Sequence, residues 1–322
     1  MNRKSEFVFP CKYTFKSQQI HLNTIQSYDI LSFKRRISTM VKRFRVASFN
    51  AENLAHPGVF FYKRDKDAPY DELAFTRKAE WMAGILDAGR PDIIGFQEVF
   101  SLEALARVVA KSSYLGSGGQ TTVLAPGCET DPVTGRPKNL FKDAAGRDAV
   151  EGPHCALVSR FPVIEHRLIP DFPAEVAFDI PTGLHDDEGE IVNLPISRFE
   201  RPVLRAIIEL PGGIRAVAFV AHLKSKRPKF LASEQVGGDP SPLATALGNV
   251  RSLIVRAAEA TALRALILKE IDDPVDGNRG TPLILFGDLN DDVSAVTTEI
   301  IAGPRPPFYA KETVKKAQWD AA

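Results

Sequence analysis

The sequence predicts an α/β fold with its functional groups at strand ends. Three observations carry this. Four apolar or alternating runs have strand length: FRVASFN at 44–50, DIIGFQE at 92–98, AVAFVAHLK at 216–224 and LILFGD at 283–288. Two long helical patterns, at 72–88 and 243–271, fall between the first and last pairs of these runs. Each run also delivers a polar group at its exit: Asn50, Glu98, His222, and Asp288 with Asn290. Collecting polar groups at strand ends is how α/β scaffolds commonly build a site.

In chain order, residues 1–39 lack helical or strand periodicity and read as an extension, leaving 40–322 as the domain. No compact apolar segment marks a signal peptide. The first strand follows at 44–50, and 56–70 reads as a loop of Pro, Gly, aromatic and charged residues. The amphipathic pattern at 72–88 predicts a helix stopped by Gly89 and Pro91. Ser101 is the N-cap candidate of a short helix to Ala110, with Glu103 well placed in its first turn. Residues 116–152 predict loops and short strands. A strand at 155–159 closes on Arg160-Phe161-Pro162, and 163–169 returns antiparallel. Residues 171–195 form an acidic excursion containing Pro and Gly. Runs at 203–210 and 214–221 flank Pro211-Gly212-Gly213 and predict a hairpin. The pattern at 243–271 predicts a long helix broken near Gly248. In LILFGDLND, Gly287 permits a turn, and an extended backbone would put Asp288 and Asn290 on one face.

Composition narrows the class. Apolar content of 44% and charged content of 25% are those of a globular chain. No apolar run reaches the ~18 residues of a membrane span. Cys11, Cys128 and Cys155 show no metal-ligand spacing, and their small odd number fits a reducing, cytoplasmic setting. The chain carries a formal net charge of +1, with the basic residues over-represented in 1–39. The rest is mildly acidic, so no overall nucleic-acid footprint is evident.

Taken singly, Glu98 reads as a surface acid, Asn50 as a turn residue and His222 as a satisfied histidine. Together they pair an anionic acceptor, amides and an imidazole, which suits phosphate-ester chemistry. Cys155 beside His154 is no nucleophile pair, because adjacent strand residues face opposite sides. Arg160 reads as structural, through carboxylate pairing.

The order FN, QE, SRFP, HLKS, GDLND resembles the endonuclease/exonuclease/phosphatase superfamily, the deoxyribonuclease I-like group, from about Phe44 to Asp292. The resemblance implies a four-layer α/β/β/α sandwich, two mixed β-sheets flanked by helices. It implies divalent-metal-dependent hydrolysis of phosphate esters, with nuclease-type phosphodiester cleavage first among the substrates. A phosphatase or phospholipase-type member and a non-catalytic remnant are the alternatives. By resemblance Asn50 and Glu98 belong to the metal part of the site, holding Mg²⁺ or Mn²⁺ through hard oxygen ligands. Asp288 positions or activates water, Asn290 holds the phosphate and His222 contacts it. Lys224, Lys226 and Arg227 in KSKRPK are candidate substrate cations, nucleic acid included. The family pattern closes with a Ser-Asp-His-type segment. This chain has no histidine after Asp292, so it reads as a member truncated at the C-terminus, missing its last strand or strands.

Overall fold

The computed structural model describes residues 26–28, 43–61, 69–117, 121–133, 137–143, 146–176, 178–185, 191–231, 234, 239–273, 281–292 and 294–303. Two sheets organise them. The first has the order β1 (Gln26–Tyr28), β2 (Phe44–Leu54), β4 (Ile93–Val99), β8 (His154–Ser159), β5 (Thr122–Leu124). The second has the order β14 (Leu283–Asp288), β13 (Ile214–His222), β12 (Arg198–Leu210), β9 (Val163–Asp171). Each sheet contains one parallel pair. Helix α1 (Glu72–Gly89) crosses over between parallel strands β2 and β4, and α3 (Pro242–Asp272) does so between β13 and β14. The remaining ladders within the two sheets are antiparallel. Both sheets are therefore mixed.

Alternating side chains then assign the layers. Ile94, Phe96, Ala156 and Val158 pack against Phe75, Met82 and Leu86 of α1 and Leu105 and Val108 of α2 (Leu102–Lys111). Their strand neighbours Val46, Ile93, Cys155 and Leu157 face the other way, onto Leu204, Ala206, Ile208, Ala218, Val220 and Phe286 of the second sheet. The outer face of that sheet, with Val203, Val217, Phe219 and Ala221, packs on Ala258, Ala262, Leu263 and Ile267 of α3. Ile301 of α4 (Val296–Ala302) joins it. This is the expected α/β/β/α sandwich. Gly95 lets the sheets meet: a Cβ there would lie 2.2 Å from the Phe286 Cβ.

Ser101 caps α2 as expected, its hydroxyl accepting the Ala104 N–H at 3.2 Å. Two expectations need correction. Helix α3 is not broken at Gly248. That glycine instead admits a close neighbour, since a Cβ there would stand 2.9 Å from the Pro228 Cβ, and its carbonyl accepts the Lys229 N–H at 3.0 Å. Strand β9 does not fold back on β8. After Arg160-Phe161-Pro162 the chain changes sheets, and β9 pairs with β12. The excursion at 171–195 contains β10 (Phe178–His185), paired antiparallel with β11 (Ile191–Ile196). A further small sheet joins β3 (Phe60–Phe61), β7 (Asp148–Val150) and β6 (Leu140–Lys142). Of the segment 1–39 only β1 is described, as an edge strand on β2; the rest lies outside the described residues. Among the described residues no helix is long and apolar enough to cross a membrane.

Candidate active site

The two parallel pairs bring four strand ends to one edge of the sandwich. Parity aims three of the side chains. Phe44, Val46 and Asn50 alternate on the face of β2 that meets the second sheet, as do Ala216, Ala218, Val220 and His222 on β13, and Ile284, Phe286 and Asp288 on β14. His222 and Asp288 are register partners. Glu98 is different. Alternation would place it beside Ile94 and Phe96, under the helices. A register shift between Phe96 and Val99, with left-handed φ of 60° at Glu98, turns it to the edge instead.

The result is a small shared space. The Asn50 Nδ2 donates to Glu98 Oε1 at 3.2 Å and to Asp288 Oδ2 at 2.9 Å. The His222 Nε2 stands 4.0 Å from each of the same two oxygens. Two carboxylates, an amide and an imidazole thus face one another across two sheets.

A turn behind this space fixes two of its members. Glu52 and Asn53 are consecutive left-handed residues, φ 50° and 62°. Such a conformation costs roughly 1–2 kcal/mol per non-glycine residue. The Glu52 N–H donates to Asn50 Oδ1 at 2.9 Å, and the Asn53 N–H to Glu98 Oε2 at 3.1 Å. On its other side the Glu52 carbonyl accepts from Lys78 Nζ, which also donates to the Tyr70 hydroxyl at 3.1 Å. Lys78 lies on the buried stripe of α1 with Phe75, Ala79 and Met82. Burial pushes its pKa down to about 8, against the pull of Glu52 and Glu98. The Asn53 Oδ1 is buried without a partner.

His222 is 3% exposed and its Nδ1 is buried without a partner. Burial, reinforced by Arg201 and opposed by Asp288, pushes its pKa down to about 3. The buried imidazole is therefore neutral near pH 7. The segment after it is held from α3. Glu259, fully buried, accepts the Lys224 N–H at 2.6 Å and the Glu200 N–H at 2.8 Å. Burial pushes Glu259 up to about 7.

Asn290 does not share an extended face with Asp288. Strand β14 ends at Asp288, and Asn290 is left-handed at φ 53°. Its N–H donates to Asp288 Oδ1 at 2.9 Å and its amide to the Leu223 carbonyl at 2.8 Å. Lys224 is buried, its Nζ turned to Ser225 and the Arg227 carbonyl at 3.3 Å. Lys226 is exposed and paired with Asp291 at 3.0 Å, and the Arg227 side chain is exposed. Sequence reasoning missed Lys78, Arg201 and Glu259. Lys78 had a signal, a charge inside an apolar helical stripe, and Glu259 had the same one among the alanines of α3.

Charge decides what the shared space can hold. With His222 neutral, the carboxylates of Glu98 and Asp288 face one neutral amide across the space and are held from behind by the Asn53 and Asn290 N–H groups. Hard oxygen donors of this kind fit a divalent cation. Mg²⁺ in particular is commonly held by one or two carboxylates and completes its shell with water and substrate oxygens. Among the described residues no group of three or more His, Cys, Asp or Glu is arranged to hold a metal ion, so the Asn50 amide oxygen, water and substrate would have to complete the shell. The Asn50 oxygen already accepts the Glu52 N–H, which leaves it one lone pair.

At the other end of β4 a cavity of about 440 Å³ is lined by Asp87, Arg90, Ser113, Tyr114, Ser117 and Arg160. Its carboxylate, Asp87, accepts from Ser112, Ser113 and Tyr114, and Arg90 stacks on the Tyr114 ring. Arg160 pairs with Asp92 at 3.1 Å, which confirms its structural reading. Cys155 is likewise inert, its thiol pushed by burial up to about 12.

No protein-family model and no curated protein matches the chain. Solved structures do. An endonuclease/exonuclease/phosphatase family protein from Bacteroides thetaiotaomicron matches 80% of this chain and 65% of its own, at 15% identity and a TM-score of 0.39. A mannosyl-6-phosphatase from Bacteroides thetaiotaomicron VPI-5482 matches 80% and 68%, at 16% identity and a TM-score of 0.38. A humanized D. rerio TDP2 matches 80% and 66%, at 12% identity and a TM-score of 0.37. The chain spans about two thirds of the length of these solved proteins.

Proposed function

We propose that this protein is a divalent-metal-dependent phosphoesterase that cleaves phosphate esters by in-line attack of water, phosphodiesters first. The observation that carries the reading is the meeting of Asn50, Glu98, His222 and Asp288, from four strands and two sheets, around one space. Glu98 and Asn50 would hold Mg²⁺ or Mn²⁺, with Asp288 beside them. The bound ion supplies Lewis-acid polarisation of a phosphoryl oxygen and offsets its charge.

The chain's own residues do the rest. Asp288 orients the attacking water and takes up its proton. The Asn50 amide, donating to both carboxylates, keeps them from swinging apart. His222 is neutral, so it can donate one N–H to a phosphate oxygen without adding charge. Asn290 supports the site from behind the Asp288 turn, and a contact to phosphate would require it to leave the Leu223 carbonyl. Lys226 and Arg227 would meet a substrate's further phosphates, Lys226 by exchanging Asp291 for them; Lys224 braces the loop that carries both. A phosphatase acting on monoesters is the second reading; the same four groups serve it, and the loops decide between them.

The test is hydrolysis of a simple phosphodiester and a simple phosphomonoester in Mg²⁺ or Mn²⁺, with and without a chelator. Metal-dependent release from the diester supports the first reading, and release from the monoester alone supports the second. Turnover that persists in chelator removes the metal from the account.

A further inference from the structure

We infer that Lys78 is a positioning residue of this site: from the buried face of α1 it grips the Glu52 carbonyl, and so holds the left-handed turn whose two N–H groups aim Asn50 and Glu98. The inference rests on reading Asn50 and Glu98 as the metal-binding part of the site.

The geometry has three links. Lys78 Nζ donates to the Glu52 carbonyl and to the Tyr70 hydroxyl, and stands 5.1 Å from the Tyr70 ring centre. The peptide that offers that carbonyl also supplies the Asn53 N–H, which donates to Glu98 Oε2. The preceding peptide supplies the Glu52 N–H, which donates to Asn50 Oδ1. One ammonium group thus fixes the orientation of a peptide plane whose other side fixes a site carboxylate. A turn of two left-handed non-glycine residues persists only where its surroundings over-determine it. Lys78 and Tyr70 are the surroundings on the side away from the site.

Burial makes the choice of lysine informative. Lys78 is 9% exposed and occupies a stripe otherwise filled by Phe75, Ala79, Met82 and Leu86. A methionine or leucine would pack there without desolvating a charge. The lysine is explained by what its Nζ holds.

Two effects of the ammonium group oppose each other, and their difference makes the test sharp. As a cation near Glu98 it repels a second cation, so its loss alone would tighten divalent binding. As a positioning group it preserves the ligand geometry, so its loss would weaken binding. Outer-shell partners of metal ligands typically contribute 10–100-fold in affinity or activity, and positioning is therefore expected to win.

The experiment compares wild type, Lys78→Met, Lys78→Arg, Tyr70→Phe and Glu98→Gln. Mg²⁺ and Mn²⁺ are titrated by calorimetry, and the Glu52 and Asn53 amide protons are followed by NMR. We expect about 10–100-fold weaker binding in Lys78→Met, with a smaller loss in Tyr70→Phe and partial recovery in Lys78→Arg. The two amide resonances should shift and exchange faster in Lys78→Met even without metal. Unchanged or tighter binding with unmoved amides would overturn the inference. If Lys78→Met does not fold, Tyr70→Phe decides by the same readouts. If Glu98→Gln binds metal as wild type does, the metal reading has failed; the amide resonances then still decide whether Lys78 holds the turn.

Discussion

The two ends of β4 carry similar chemistry and opposite outcomes. At its start, Asp92 accepts from the Arg45 N–H, the Tyr114 hydroxyl and Arg160. Nearby Asp87 accepts from Ser112, Ser113 and Tyr114. Arg160 and Arg90 stack on the Tyr114 ring, at 4.5 and 5.2 Å from its centre. At its finish, Glu98 and Asp288 share the Asn50 amide and each accepts one backbone N–H besides, from Asn53 and Asn290, while His222 keeps 4.0 Å from both and leaves its Nδ1 without a partner. The first end is a cavity whose carboxylates are already satisfied. The second is a solvent-open cluster with charge left over. A cavity therefore does not by itself locate the site; unmet electrostatic demand does.

Substitutions can break this contrast. The largest effect belongs to Asp288→Asn, which should slow phosphodiester turnover ~10²–10⁴-fold, the usual range for a positioned acid/base group. Thermal stability should hold or rise, because one of two facing carboxylates is removed. Asp92→Ala should do the reverse. Turnover should stay close to wild type, while stability measured by denaturant unfolding falls by about 1–3 kcal/mol, as three donors lose their acceptor. Equal effects of the two changes on turnover would erase the distinction between the ends.

Gly95→Ala sits midway along β4. Its Cβ would press on Phe286 across the sheets. Overpacking of this kind costs roughly 1–3 kcal/mol, and here it should also lower turnover, since the same sheet contact sets the Asn50 to Asp288 distance. Wild-type stability in this variant would mean that the sheets separate more easily than the packing implies.

The smallest effects are in pH. Partial burial pushes Asp87 up, but hydrogen bonds from Ser112, Tyr114 and Ser113 outweigh it and hold the group at about 2. Its folded value lies below the unfolded ~3.9, so its contribution is present above that value and is lost as pH falls through about 2. Glu259 has the opposite sign. Its folded value of about 7 lies above the unfolded ~4.3, so its contribution is present below ~4.3 and is lost as pH rises through about 7. Unfolding free energies across pH 2–8 should therefore lose slope between pH 4 and 7 in Glu259→Gln, and below pH 4 in Asp87→Asn. Unchanged slopes would show that neither group is held as described.

The sequence exposed what periodicity controls. The strand runs, the crossover helices, the Ser101 cap and the residues at strand exits follow from local pattern, and Asn50, His222 and Asp288 reach the edge by parity alone. Other features depend on distant partners. Glu98 arrives through a left-handed residue that no alternation rule anticipates. Asn290 leaves the strand face because the Leu223 carbonyl offers its amide a partner. Gly248 looked like a helix break because its close neighbour, Pro228, lies in another segment. The neutrality of His222 comes from burial by both sheets, which its neighbours in sequence do not reveal.

The central claim is that groups from two sheets act as one site, and a double-mutant cycle on turnover tests it most directly. Glu98→Gln, Asp288→Asn and the pair together are assayed on a simple phosphodiester in Mg²⁺. Residues that work as a unit are strongly non-additive. The double variant should therefore be about as slow as the slower single variant. Losses that multiply would mean the two carboxylates act independently, and a wild-type protein with no turnover would contradict the account outright.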